Sequence, residues 1–394
     1  MKKQGEEITL DLDKNRKRKK ILINILKAVI ILAVAAAAGF AIYKITHRKY
    51  NSFEIVEAVD RKDSDIVKYT AYDSDKLIRY SRDGITAIDG KGNDIWSASY
   101  EMKEPFVVTR GQYAAVADIG NKKLIIYDGS GSASEVEILY PITTVDVSAN
   151  GIAAVVLRDE MTDLIYICDG KEIYSEIKTR IAQDGYPLAL TISDDAKKLV
   201  TSYALIADGE TENFLTFYNF GDVGQSYNNR IVRAESLDDE MVPLVKFVNE
   251  KDIVVISDRG IRTYEMKETP SLMLDTGKLE YQIKSVMYDS ENVGVILDNY
   301  KENKKQLRVY SLTGDEKINE DLDYEYTDVN MSNSEIIFNS EKGIRILTSS
   351  GKLKFDGECE DAIAGVYPYN GKDKYILLTD KQICQIKLTE RENV

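Results

Sequence analysis

The segment ITTVDVSANGIAAVVLRDEMTDLIYICDGKEIYSEIK, residues 142–178, decides how the chain folds. It contains four runs of strand length, ITTVDVS, IAAVVLRD, DLIYIC and EIYSEIK, broken by ANG, a short acidic loop and DGK. β-Branched and aromatic residues fill the runs, while Gly, Asn and Asp fill the breaks, so the runs read as strands and the breaks as turns. IAAVVL is continuous rather than alternating, as expected of a strand covered on both faces. Four antiparallel strands in about 40 residues are the size of one propeller blade.

The pattern recurs outward in both directions. Continuous runs appear again as DIVVIS (252–257), VGVILD (293–298), EIIFNS (335–340) and KYILLT (374–379). Turn glycines that follow a strand ending in Asp, Asn or Ser fall at Gly92, Gly131, Gly170, Gly221, Gly314 and Gly351, spaced by 39, 39, 51, 93 and 37 residues. The fourth interval is two periods with one glycine missing. This template predicts blades at 66–100, 105–140, 142–178, 186–235, 242–276, 281–322 and 325–358, and an incomplete eighth at 361–389 with three strands. The run SFEIVEAV (52–59) has no blade of its own and is expected to supply the missing outer strand, closing the ring without an open sheet edge. An all-β, eight-bladed β-propeller over 52–389 is the expected fold. Seven blades are the alternative, because the fourth unit is long and irregular.

Before the repeat lies ILINILKAVIILAVAAAAGFAIYKI (21–45), which as a helix would be ~37 Å long, enough to cross a bilayer. Lys14, Arg16, Lys17, Arg18, Lys19 and Lys20 precede it, and only Lys44, Arg48 and Lys49 follow. The positive-inside rule then predicts a basic cytoplasmic tail (1–20), one transmembrane helix (21–45), a juxtamembrane linker (46–51) and an extracellular propeller held at the cell membrane, with a short C-terminal tail at 390–394. Lys27 and Asn24 fall within the apolar run, where the lysine stem is expected to snorkel. The competing reading is a signal peptide cleaved near Ala36, Ala38 and Gly39. Either outcome exports the large domain.

Residues 1–49 carry 12 basic and 4 acidic side chains, leaving 40 and 62 for residues 50–394, a net charge of −22. Nucleic acid is not an expected partner of such a domain. Cys168, Cys359 and Cys384 sit in apolar strand-like contexts and read as buried thiols, with a Cys359–Cys384 pair as the alternative. His47 is the single histidine and lies in the linker, so no catalytic triad and no histidine metal site can be built in the domain. DGSGSAS (128–134) lies between two strands and reads as a hairpin turn rather than a phosphate loop. The acidic pairs Asp194–Asp195 and Asp238–Asp239 read as solvated turns, and DDEM and DGETEN lack the spacing of a calcium loop. No catalytic, cofactor or metal residue is assigned.

Propeller function concentrates in loops. The loops joining second to third strands and those linking successive blades share one face and are the longer set here: RDEMTD (158–163), TRIAQDGY (179–186), ADGETEN (207–213), ESLDDEM (235–241) and DNYKENKK (298–305). Arg158, Arg180, Tyr186 and Tyr300 within them are the candidate contact residues.

GITAIDGKGNDIWSASY (84–100) resembles the repeat of quinoprotein-like and WD40-like propellers, with Gly92 and Trp96 matching its turn glycine and strand-opening tryptophan. YSLTGDEKI (310–318) and LTSSGKLKF (347–355) keep the turn without the indole. The layout of basic tail, one helix and acidic exported propeller resembles an uncharacterised family of membrane-anchored propeller proteins of Gram-positive bacteria. The resemblance implies a fold and a location but no activity. Quinoprotein dehydrogenases would add a redox cofactor and calcium ligands, and no segment here carries those residues over. The expected function is therefore a non-catalytic platform bound to the lipid bilayer through 21–45 and engaging an envelope protein or polymer. The alternative is an envelope enzyme acting on carbohydrate or through a quinone-type cofactor.

Overall fold

The structure is a computed structural model and describes residue 27 and residues 30–36, 49–61, 67–136, 138–207, 210–237 and 240–390. The chain divides into two units, Met1–Lys49 and Tyr50–Val394. In the first, the described part of 30–36 is helical, with Ile30, Ile31, Leu32 and Val34 exposed. Most of the expected transmembrane segment, the basic tail, His47, Asp208, Asp238 and Asp239 lie outside the described residues. Among the described residues no helix is long and apolar enough to cross a membrane.

The second unit is an all-β, eight-bladed propeller. Eight antiparallel sheets of four strands follow in chain order. Blades I to VII occupy 68–99, 105–135, 142–180, 186–236, 244–275, 282–321 and 328–358. Blade VIII takes three strands from 363–389 and its outer strand, Ser52–Asp60, from the start of the domain. That strand pairs antiparallel with Gln382–Thr389, from Ser52 opposite Thr389 to Asp60 opposite Gln382. The first and last segments thus close the ring as the unpaired run at 52–59 required, and the seven-bladed alternative falls away.

The continuous apolar runs have a direct cause. In blade III, Ala153, Val155 and Leu157 pack toward blade II, whereas Ala154 and Val156 pack toward blade IV. Strand side chains alternate sides, so a strand between two blades needs apolar residues at every position. Each core cluster joins two neighbouring blades, including blades VIII and I through Leu77, Ile88, Ile376, Leu378 and Ile383. Stability is therefore distributed over nearest-neighbour interfaces.

A second repeat lies on the outer strands. Six of them resume after a β-bulge, and the residue following it points toward the next blade: Trp96, Ser175, Arg233, Leu274, Ile318 and Phe355. Trp96 covers Gly131, Leu274 lies by Gly314, and Ile318 by Gly351. Gly131 has φ +81°, and a Cβ there would lie 2.8 Å from the indole, so this turn requires glycine twice over. Trp96 also stacks on Tyr127, with ring centres 5.4 Å apart. Gly221 does not belong to this series. It precedes an insert of two short 3-10 turns, Val223–Ser226 and Asn228–Arg230, and the 51-residue interval before it holds the one-turn helix Ile181–Asp184 and the ten-residue strands Lys198–Ala207 and Glu210–Asn219.

The three cysteines are free, with Cys168 and Cys384 buried and Cys359 partly so, and the Cys359–Cys384 pair is not formed. Burial pushes the Cys168 and Cys384 thiols up to about 11. DGSGSAS is the turn between Leu124–Tyr127 and Ala133–Glu135, where Asp128 accepts hydrogen bonds from the backbone of Ser130 and Ser132. One expected loop is largely strand instead. Lys198–Ala207 and Glu210–Asn219 are ten residues each and pair to their tips, so most of ADGETEN is a projecting hairpin.

Candidate binding face on the loop end of the ring

Arg158 closes the second strand of blade III, and Asp163 lies opposite it in the pairing with the third strand. The Arg158 Nε donates to Asp163 Oδ1 at 3.2 Å, and the guanidinium carbon lies 5.4 Å from the ring centre of Tyr186, which opens blade IV. Asp163 is fully buried, and its Oδ2 has no hydrogen-bond partner. A buried carboxylate with a single cationic contact holds that cation firmly, because losing it would strand the charge. Arg158 is thereby held over the Tyr186 ring across the blade III–IV boundary.

Arg180 ends the outer strand of blade III and leads into a one-turn helix, Ile181–Asp184. Its backbone N–H donates to Asp184 Oδ2 at 2.8 Å, and its guanidinium lies 3.7 Å from the same carboxylate. The Ile181 N–H donates to the Met161 carbonyl at 3.3 Å, so the two loops of this blade are tied together. Arg158, Arg180 and Tyr186 are thus brought into one region. Tyr300 is not: it is exposed in the turn after Asn292–Asn299 of blade VI.

Around the blade III–IV cluster the loop end is apolar and uncovered. Leu139 precedes blade III, Met161 tops it, Ile206 lies near the tip of the blade IV hairpin and Met241 precedes blade V; all four are exposed, Met161 at 79%. Farther round, the same end is polar. Lys284 and Lys305 lie 5.9 and 6.0 Å from the Tyr326 ring, Lys305 pairs with Glu325 at 2.6 Å, and Lys284 lies 3.7 Å from Asp298. The exposed aliphatic side chains of the loop end thus gather around blades III to V.

Inside the ring, the innermost strands are joined by polar contacts. Lys246 of blade V reaches Asp146 of blade III at 2.6 Å, and Asp146 also accepts from the Thr191 hydroxyl and the Ile192 N–H of blade IV. Arg110 of blade II pairs with Asp194 at 2.5 Å and donates to the Phe247 carbonyl. Asp194 and Asp195 do sit in a turn, but Asp194 faces the channel, where Arg110 neutralises it. Among the described residues no group of three His, Cys, Asp or Glu side chains is close enough to hold a metal ion.

With this geometry in hand, the model of a family described as "Family of unknown function (DUF5711)" matches residues 46–388. The chain belongs to that family. No curated protein is similar to it in sequence. Among solved structures, BamB from Moraxella catarrhalis is similar at 13% identity and TM-score 0.50, covering 86% of this chain and 100% of its own. A eukaryotic initiation factor is similar at 11% identity and TM-score 0.52, covering 87% of each chain. At such identities the likeness is one of fold, and it agrees with the propeller read from the repeat. The DUF5711 match spans the ring and the linker before it.

Three features of the site escape the sequence. The Arg158–Asp163 pair was within reach, since the two residues bracket RDEMTD at the spacing of opposed hairpin positions. The channel pairs join blades far apart in sequence, and no local signal marks them. A groove beside blade III was signalled only by the length and irregularity of the fourth unit, 186–235.

Proposed function

We propose that this member of the DUF5711 family is a non-catalytic interaction module that engages a protein partner through the loop end over blades II to V. The observation that supports it is the set of exposed Leu139, Met161, Ile206 and Met241 around the fixed Arg158–Tyr186 pair. Apolar anchors beside an ordered arginine and tyrosine are the usual composition of an interface centre. The second unit begins at Tyr50, whose N–H donates to the Lys354 carbonyl at the end of the ring opposite these loops.

The proposal keeps the setting expected from the first 49 residues: a single-pass anchor at 21–45 in the lipid bilayer of a Gram-positive cell, with the propeller outside and an envelope protein as partner. An envelope polymer is the lesser alternative, because exposed aliphatic side chains suit a protein better than a hydrated polymer. The enzyme reading gains nothing from the channel, where Asp146 and Asp194 are each held by a cation.

A photo-reactive residue at Met161 is expected to cross-link a discrete protein in intact cells, and one at Leu272, on the outer strand of blade V, is expected not to. Equal adducts from both positions, or adducts from Leu272 alone, would sink the assignment of the face.

A further inference from the structure

On the outside of the ring, a groove of about 740 Å³ opens between blades III and IV. It exists because of two local departures from the repeat. Ser175 occupies the pairing position that Trp96 fills in blade I, and blade IV has the Val223–Arg230 insert where blade III has a tight turn at Gly170. One wall is the outer strand Ile173–Arg180; the other is formed by Tyr203, Phe214, Tyr218 and Phe220 with Ile231 and Ala234.

The groove has polarity. At the loop end stand Arg180 and Asp184, which satisfy each other. At the opposite end stands Arg230, where Nη1 is buried without a hydrogen-bond partner. Asn229 and Arg230 have φ of 52° and 62°, two consecutive non-glycine residues held in the left-handed region. On the floor, the Tyr203 and Tyr218 hydroxyls share a 2.9 Å hydrogen bond, and each tyrosine is only 3% exposed. Burial pushes Tyr218 up to about 12 and Tyr203 well above the usual phenol range, so both stay neutral and one hydroxyl hydrogen remains to donate.

The strand wall is itself unfinished. Ile173–Arg180 is paired on one side only, and its first two side chains, Ile173 and Tyr174, are exposed. A free strand edge offers unpaired N–H and C=O groups to an incoming chain. Residues 175–180 span ~17 Å, the length of five or so extended residues.

We propose that this groove binds an extended peptide, which adds to the free edge of Ile173–Arg180 as a fifth, antiparallel strand of blade III and sets its C-terminal carboxylate on Arg230. The direction follows from the topology. Ile173–Arg180 runs toward the loop end, so an antiparallel partner runs from Asp184 toward Arg230 and delivers its C-terminus to the unpaired guanidinium. A parallel partner would bring its ammonium there instead. Alternate side chains of the added strand face the aromatic wall, which selects apolar residues at those positions. The groove meets the loop-end face only at Arg180 and Asp184, and its failure would leave the reading of that face untouched.

The test uses the full-length chain, immobilised and equilibrated with a randomised hexapeptide pool bearing free C-terminal carboxylates, and in parallel with the same pool amidated. The carboxylate pool is expected to be retained about ten-fold more strongly, the worth of one charge-assisted contact. Arg230→Gln is expected to erase that preference. Ala234→Trp, which fills the groove from an exposed position, is expected to remove retention of both pools while melting like the wild type. N-methylating alternate backbone nitrogens of a retained sequence is expected to abolish its binding. No retention of either pool, equal retention of the two, or retention that survives Ala234→Trp overturns the proposal.

Discussion

The wedge between blades I and II and the wedge between blades III and IV are built on the same strand pairing and end differently. In the first, Trp96 follows the bulge opposite Ala87, stacks on Tyr127 and covers Gly131. In the second, Ser175 follows the bulge opposite Ile167, faces no glycine turn and lines an open groove. Blades diverge outward from the axis, so the outer strand must contribute volume or leave a gap. Interfaces in such arrays are nearly independent. One wedge can therefore be emptied for binding without loosening the ring, provided the others stay full.

The largest effects are expected where the filled wedge is attacked. Gly131→Val adds strain at a positive φ to a collision with the indole and is expected to cost about 4 kcal/mol in urea unfolding. Trp96→Ala empties the same space and is expected to cost about 3 kcal/mol. Because the two side chains meet, the double variant should be less destabilised than the sum of the single ones. Strict additivity would show that the indole does not rest on that turn.

The converse change sharpens the comparison with a smaller effect of opposite sign. Ser175→Trp places the blade I residue in the open wedge and is expected to stabilise the protein by about 1 kcal/mol, as cavity filling commonly does. It should also abolish peptide retention in the groove. Were it to destabilise by as much as Trp96→Ala, the two positions would not be structural equivalents.

These differences explain what could be read in advance. The blades were legible because their middle strands are covered by a neighbouring blade on each face and carry apolar residues almost without interruption, as in 152–157 and 293–298. The closing strand was legible because 52–59 had no partner left in sequence. Arg158, Arg180 and Tyr186 were read as loop residues and stand at strand ends near the blade III–IV boundary, while Tyr300 lies in a turn of blade VI. The groove was hidden, since it arises from what Ser175 lacks and from Arg230, whose freedom depends on which side chains fail to reach it. A missing contact leaves no pattern in a sequence.

The smallest effect concerns the turns at the bases of these wedges. Asp128 in blade II is held below the usual carboxylate range chiefly by the Ser130 hydroxyl, and Asp169 in blade III chiefly by the Tyr174 hydroxyl. A carboxyl lowered on folding adds stability above its unfolded value and loses it as pH falls through the folded one. Between about pH 5 and about pH 3, the wild type should therefore lose slightly more thermal stability than Asp169→Asn, whose turn no longer titrates. Tyr174→Phe removes the strongest donor but leaves the backbone N–H groups of Lys171 and Glu172 on Asp169, so its pH profile should fall between the two. Both carboxylates are open to solvent, and added salt should shrink the difference, whereas it should leave the Trp96 and Ser175 effects unchanged. Superimposable profiles for the wild type and Asp169→Asn would mean that the tyrosine contact forms without biasing the carboxyl.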